Sequence, residues 1–345
     1  MRIGNIEMIE TLSLETLSDR DVVLSAPKAS SQPMHCMEVW GGRQLTARGV
    51  EFGGLETWVY SKPYGDSRDG GDVYYASSCA TGRIARFLLA DVAGHGDAVA
   101  ETANGFESLM RRFVNRVDQG EFVRLLNQHF AEVSPSGVFA TAIVATFFAP
   151  SRRLGLCNAG HPRPLLYRAA SREWSLLAVS DERACLSSSN MPLGIFQEAE
   201  YRHFDIELER GDCVVAYTDA LMEAAGPDGE ILGENGLLEL ARSLKQTTPR
   251  DLAEALLGEL NCRCPDALTC DDVTVMVMRA NDRPLRFSLA QKLDAIKRFA
   301  KSFFASLGGD SEKPPFPDWN LANLGGAIIP ALARRWRPPQ NSSRA

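Results

Sequence analysis

Four aspartates stand at the edges of apolar runs: Asp72 in "DGGDVYY", Asp91 in "FLLADVAGHG", Asp219 in "VVAYTDA" and Asp271 in "CDDVTVMV". Asp72 and Asp271 open a run, whereas Asp91 and Asp219 close one. In antiparallel neighbours the start of one strand lies beside the end of the next. Two such pairs would bring all four carboxylates to one edge of a sheet assembly. Four anions in a partly dry site repel one another and need a counter-charge. Oxygen donors with no Cys or His among them suit Mg2+ or Mn2+ rather than zinc. Two such ions, ~3.5–4 Å apart, lower the pKa of a bridging water and clamp a phosphoryl oxygen. The chemistry is therefore metal-assisted hydrolysis, most naturally of a phosphate ester. Taken singly, each acid reads as a turn former; the set of four carries the inference.

The elements that must position these acids are legible from periodicity. Short β-like runs begin at "MEVW" and continue through "ETWVYS", "DVYYAS" and "RIARFLLAD", separated by Gly, Asp and Pro clusters that read as turns. "DAVAETANGFESLMRRFVNRV" and "GEFVRLLNQHFAEV" place apolar residues at helical spacing. Strands return in "VFATAIVATFFA", "RLGLCNA", "PLLYR" and "DCVVAYTD"; the first is apolar enough to be a central strand buried on both faces. "NGLLELARSL" and "PRDLAEALLGEL" are helical, and "DDVTVMVMR" closes the series. Grouped strands and grouped helices predict an α+β fold with mainly antiparallel pairing.

The chain has 345 residues, 45% hydrophobic and 23% charged, with a net charge of −7. That acidity argues against general nucleic-acid binding. No run of about 20 apolar residues exists, so no membrane span is expected. The N-terminus "MRIGNIEMIETLSLE" lacks a secretion pattern, and the eight cysteines are scattered. The expected location is cytoplasmic, with the cysteines as thiols. Cys262, Cys264 and Cys270 lack the second pair that a zinc site needs. Residues 1–35 read as a flexible arm and 36–280 as the catalytic domain. Residues 281–345 read as an amphipathic helix followed by a Pro/Arg-rich tail. In that helix Leu289, Leu293, Ile296, Phe299 and Phe303 share a face, suited to docking on a protein or lying on a membrane.

The motifs "GGDVYY", "LLADVAGHG", "NAGHP", "PLGIF", "YTDA" and "DDVTV" occur in an order that resembles the SpoIIE/RsbU-like branch of the PPM-type, metal-dependent serine/threonine protein phosphatases. The resemblance covers roughly Gly49 to Arg279. It implies an α-β-β-α sandwich of two mainly antiparallel sheets flanked by helices. It further implies that Asp72, Asp91, Asp219 and Asp271, with the backbone carbonyl of Val92, ligate two Mn2+ or Mg2+ ions. Gly94 and Gly96 then let the loop turn tightly beside them. His95 either protonates the leaving seryl oxygen or braces that turn. Asn158 and His161 either stabilise a turn or contact the phosphate of the substrate. Asp272 neighbours Asp271, and because successive strand residues point to opposite faces, only one of the two reaches the metals. Ala220 stands where the family usually has glycine, so the turn after Asp219 is expected to differ slightly.

By the same resemblance the substrate is a phosphorylated regulatory protein such as an anti-sigma-factor antagonist. Fewer than about 50 residues precede the resemblance, so control is expected from an activator protein, the C-terminal helix or homodimerisation. The rival reading is a non-catalytic module of the same fold that binds phosphoproteins or other partners. Such a module would usually have lost one of the four acids, and all are present. A two-metal nuclease would need a basic groove, and "AGHG" lacks the third glycine and helix context of a dinucleotide loop.

Overall fold

Alternating burial along the strands sorts side chains into three apolar layers, and these layers define the architecture. The computed structural model describes residues 31–34, 38–65, 67–79, 82–93, 97–113, 119–133, 138–177, 191–226, 228–246, 248–264 and 267–283. The chain runs β1 (Gln32–Pro33), β2 (Val39–Gln44), β3 (Thr46–Phe52), β4 (Leu55–Lys62), β5 (Asp69–Ser78) and β6 (Ile84–Val92), then α1 (Asp97–Arg112) and α2 (Gln119–Val133). β7 (Ala140–Phe148), β8 (Arg153–Ala159), β9 (Leu165–Arg168), β10 (Glu173–Leu176), β11 (His203–Glu207) and β12 (Cys213–Tyr217) follow. The described elements end with α3 (Gly233–Ser243), α4 (Pro249–Arg263) and β13 (Val273–Ala280).

The strands form a seven-stranded sheet, β1-β3-β4-β13-β12-β9-β10, and a six-stranded sheet, β11-β8-β7-β6-β5-β2. All pairings are antiparallel except β1 with β3. In β6, Ala85, Phe87 and Leu89 enter the core between the sheets. Leu88, Ala90 and Val92 enter the layer shared with α1 and α2, beside Phe106, Phe122 and Phe130. In β13, Met276 and Met278 face the inter-sheet core, while Val273, Val275 and Val277 pack with Leu237, Leu252 and Leu256 of α3 and α4. The result is the α-β-β-α sandwich expected from the motifs. Each fully buried Leu, Val or Phe in these layers contributes about 1.5–3 kcal/mol, so three continuous layers determine which sheet faces which helices.

Local chemistry begins and ends the elements. Thr248 caps α4 by accepting from the Asp251 N–H at 3.2 Å, with Pro249 in the first turn. β7 is central and buried on both faces, as its apolar run requires. Four strands carry no clear sequence signal: β1, β3, β10 and β11. Gly49 interrupts the β3 pattern because a Cβ there would lie 2.3 Å from Ser31 Oγ. The expected flexible arm is tied down at its end, since β1 pairs with β3 and Met34 is buried between the sheets. The predicted C-terminal helix from Leu289 to Phe303 lies outside the described residues.

Candidate metal centre

The acids converge because two hairpin-like pairings end at the same rim of the sandwich. β5 and β6 pair antiparallel with Asp72 directly opposite Asp91. Asp72 has the same parity as Tyr74 and Ala76, and Asp91 the same as Phe87 and Leu89, so both stand on the inter-sheet face. In the other sheet β12 pairs antiparallel with β13, Tyr217 opposite Val275. Asp219 begins a short 3-10 turn immediately after β12, and Asp271 lies just before β13.

Thr218 links the two sheets. Its buried hydroxyl donates to Asp72 Oδ2 at 2.9 Å and accepts the Thr274 N–H at 2.9 Å. The sequence reading missed this residue. The available signal was its parity with Val214 and Ala216, which places it on the face opposite Asp72.

Electrostatics confirm that the acids crowd one another. Burial first, then the Asp91 charge, raises the Asp72 carboxyl well above its usual range, against the hydrogen bonds from Thr274 and Thr218. Burial and then Asp219, Asp271, Asp272 and Glu223 push Asp91 up to about 7. Asp219 is raised by burial, Glu223 and Asp271. Glu223 is thus a further acid at this rim; its four-residue spacing from Asp219 was the signal for it, and its N–H bonds to the Asp219 carbonyl at 2.9 Å. Among the described residues, the leading charges acting on these three carboxyls are all negative. A set of hard oxygen donors that gathers negative charge fits a divalent ion in its chemistry. The set is nevertheless open: among the described residues no three His, Cys, Asp or Glu side chains close into a ready-made cage.

Asp271 and Asp272 are separated clearly. Asp272 has the parity of Thr274 and would face the sheets' interior, yet its carboxylate is bound by backbone, accepting from the Tyr64 N–H at 2.6 Å and from the Gly71 N–H. Asp271 is exposed, and its Oδ1 accepts the Asp272 N–H at 2.7 Å. Ala220 sits within the 3-10 turn, and among the described residues only Arg152 and Arg172 combine a side chain with positive φ. The turn after Asp219 therefore does without the left-handed conformation that favours glycine.

Asn158 and His161 are brought together but turned inward. The Asn158 amide accepts from the His161 N–H and donates to the His161 carbonyl, both at 2.7 Å. The His161 ring is buried, with Nδ1 2.8 Å from the Thr141 hydroxyl, and burial lowers its pKa to about 3. Thr141 pairs with Asp91 on the neighbouring strand, so this turn supports the acid cluster from behind. Val92 ends β6 and is buried. His95, Gly94 and Gly96 lie outside the described residues.

Exposed apolar side chains border the rim. Phe139 is 41% exposed, and its carbonyl accepts the Ala93 N–H at 2.9 Å. Register places it one step outward from the Asp91–Thr141 pair on the face that carries Asp91. Tyr64, 55% exposed, lies beside Asp272.

The fold is shared with known proteins. The phosphoserine phosphatase RsbU of Bacillus subtilis is 22% identical over 192 residues, 55% of this chain and 54% of that protein. This chain spans about half, or less, of the length of the curated relatives it matches. Among solved structures, the RsbU and RsbW domains of Rv1364c from Mycobacterium tuberculosis superpose with a TM-score of 0.57 at 23% identity, covering 77% of this chain and 72% of that one. RsbX in complex with magnesium superposes with a TM-score of 0.50 at 17% identity, covering 68% and 100%. Residues 81–281 match the family described as stage II sporulation protein E (SpoIIE). That is more than half of the chain and includes Asp91, Asp219 and Asp271, so the chain belongs to the SpoIIE family.

Proposed function

We propose that the protein is a metal-dependent serine/threonine protein phosphatase. Asp72, Asp91, Asp219 and Asp271, with the Val92 carbonyl, would hold two Mn2+ or Mg2+ ions. When bound, such ions lower the pKa of water and offset charge on the phosphoryl group. The chain's own residues do the positioning. The cross-strand pair holds Asp72 and Asp91 at a fixed separation, Thr218 orients the Asp72 carboxylate, and the Asn158–His161 turn backs the strand beside Asp91. His95, four residues beyond Asp91, either protonates the leaving seryl oxygen or braces the glycine turn. Asn158 and His161 are assigned to the turn: the Asn158 amide holds both backbone groups of His161, and the His161 Nδ1 meets the Thr141 hydroxyl on the strand beside Asp91.

The observation that carries this reading is the convergence of mutually repelling carboxylates at one rim, Asp72 buried and Asp91 and Asp219 half-buried. The phosphoserine phosphatase name of a relative and the magnesium of a structural neighbour support it. Phe139 and Tyr64 at the rim suit a polypeptide substrate, because a bare phosphate gains nothing from aromatic surface. We take the substrate to be a phosphorylated regulatory protein of the anti-sigma-factor-antagonist type, with control by an activator protein or by homodimerisation. Among the described residues no helix is long and apolar enough to cross a membrane, and no described cysteine is in a disulfide. A reducing compartment, the cytoplasm, suits those thiols.

One observation favours the second reading, a binding module of the same fold: the acids do not close into a cage. Hydrolysis of p-nitrophenyl phosphate and of a phosphoserine peptide with Mn2+ decides between the two. Turnover should fall at least about a thousandfold in Asp91→Ala and vanish with EDTA. A wild-type chain that neither turns over nor binds divalent ions in calorimetry would sink the catalytic reading and leave the module.

A further inference from the structure

Asp272 and Gly70 are unexplained by the ligand set, and they meet. A Cβ built on Gly70 would lie 2.6 Å from Asp272 Oδ1, 2.8 Å from its Cγ and 2.9 Å from its Oδ2. Gly70 is not among the positive-φ glycines, so steric room rather than backbone conformation requires glycine there. The carboxylate pressing on Gly70 accepts the N–H groups of Tyr64 and Gly71, joining the β4–β5 loop and the residue before Asp72 to the foot of β13.

The register of β6 shows what that capture changes. Ile84 accepts from Cys79 on the β5 side, whereas Ala93 donates to Phe139 on the β7 side. Alternate residues of an antiparallel strand turn both backbone groups to the same neighbour. Even-numbered residues of β6 therefore face β5. Val92 is one of them, and the register that sets Asp72 against Asp91 sets Gly71 against Val92. The pairing nevertheless stops at Asp72–Asp91, and the Gly71 N–H is bonded to Asp272 instead.

We propose that Asp272 is a positioning residue of the metal centre. By drawing the Gly71 N–H out of the β5–β6 ladder, it leaves the Val92 carbonyl available to a cation and holds Asp72 at its place in the strand. The second acid of "DDVTV" and the first glycine of "GGD" thus form one device. The inference rests on the metal reading above and extends it to a residue that touches no ion itself.

The test is calorimetric titration of Mn2+ into the full, metal-stripped chain, alongside thermal melting in EDTA. Asp272→Ala should weaken Mn2+ binding about tenfold or more, the usual effect of losing a partner that orients a ligand. Gly70→Ala should produce a comparable loss, because its Cβ must displace the carboxylate. In the Asp272→Ala background Gly70→Ala should cost nothing further, a non-additivity that general destabilisation would not produce. Should Asp272→Ala fail to fold, Asp272→Asn, which keeps one acceptor, carries the same test with a smaller expected loss. Folded variants that bind Mn2+ like wild type, or losses that simply add, overturn the positioning role and leave the phosphatase reading standing. A wild-type chain that binds no Mn2+ overturns both, so the two failures are distinguishable.

Discussion

β12 carries an aspartate at each of its ends, and the two ends of the sandwich treat that acid in opposite ways. Asp212, just before the strand, is 1% exposed and fully met: Arg168 donates at 2.7 Å, the Ala169 N–H at 2.8 Å and the Glu209 N–H at 3.0 Å. At the other end, Asp219 joins Asp72 and Asp91, where burial and like charges raise all three and, among the described residues, the leading charges are carboxylates. A buried carboxylate with a guanidinium and two N–H donors is a structural clasp. Carboxylates gathered beside one another keep their charge problem until something cationic arrives, and natural folds accept that cost at functional sites.

Removing each acid tests the contrast. Asp212→Ala strands two backbone donors and releases Arg168, so chemical denaturation should show a loss of about 2–3 kcal/mol. Its Mn2+ affinity should match wild type; a weakened metal site would show that the two ends are coupled and would break the comparison.

Asp91→Asn should act in the opposite direction on stability. A carboxyl at about 7 in the folded chain and near 4 when unfolded binds more protons folded than unfolded across that window. Its contribution therefore lowers stability as pH rises from about 4 to 7, and the penalty is complete above 7. In EDTA at pH 8 the Asn variant should melt a few °C higher than wild type, on the order of 1 kcal/mol. The difference should shrink as the pH falls towards 5. A variant less stable than wild type at pH 8 would mean that the open end is already neutralised.

The smallest expected effect lies at the rim. Phe139→Ala should raise KM for a phosphoserine peptide roughly threefold to tenfold, about 1 kcal/mol of lost aromatic contact. Hydrolysis of p-nitrophenyl phosphate should be unchanged. Equal losses on both substrates would place Phe139 in support of Asp91 rather than in contact with polypeptide.

How much was legible follows from the range of each signal. β6 announces itself by a long apolar run with Asp91 one residue from its end, and Asp72, Asp91, Asp219 and Asp271 were found by position relative to such runs. β11 is an edge strand of mixed exposure, and β3 is broken by Gly49, so neither shows a clean period of two. Thr218 looked like an ordinary residue in a motif until the opposite sheet supplied Asp72. Parity alone would have chosen Asp272 over Asp271 for the interior, whereas the Asp272 carboxylate is bound by the Tyr64 and Gly71 N–H groups.

The information legible along the chain is therefore local: which segments alternate, where apolar runs stop, and which acids stand at those stops. Period and turn chemistry are properties of a few neighbouring residues, and they survive in one dimension. Packing alone sets Asp72 against Asp91, makes Thr218 bridge the sheets, brings Arg168 to Asp212 and presses Asp272 on Gly70. Each of those depends on register and packing between segments far apart in the chain, from 19 residues for Asp72 and Asp91 to 202 for Gly70 and Asp272. Such pairings are selected by the burial of whole layers rather than by the residues that meet.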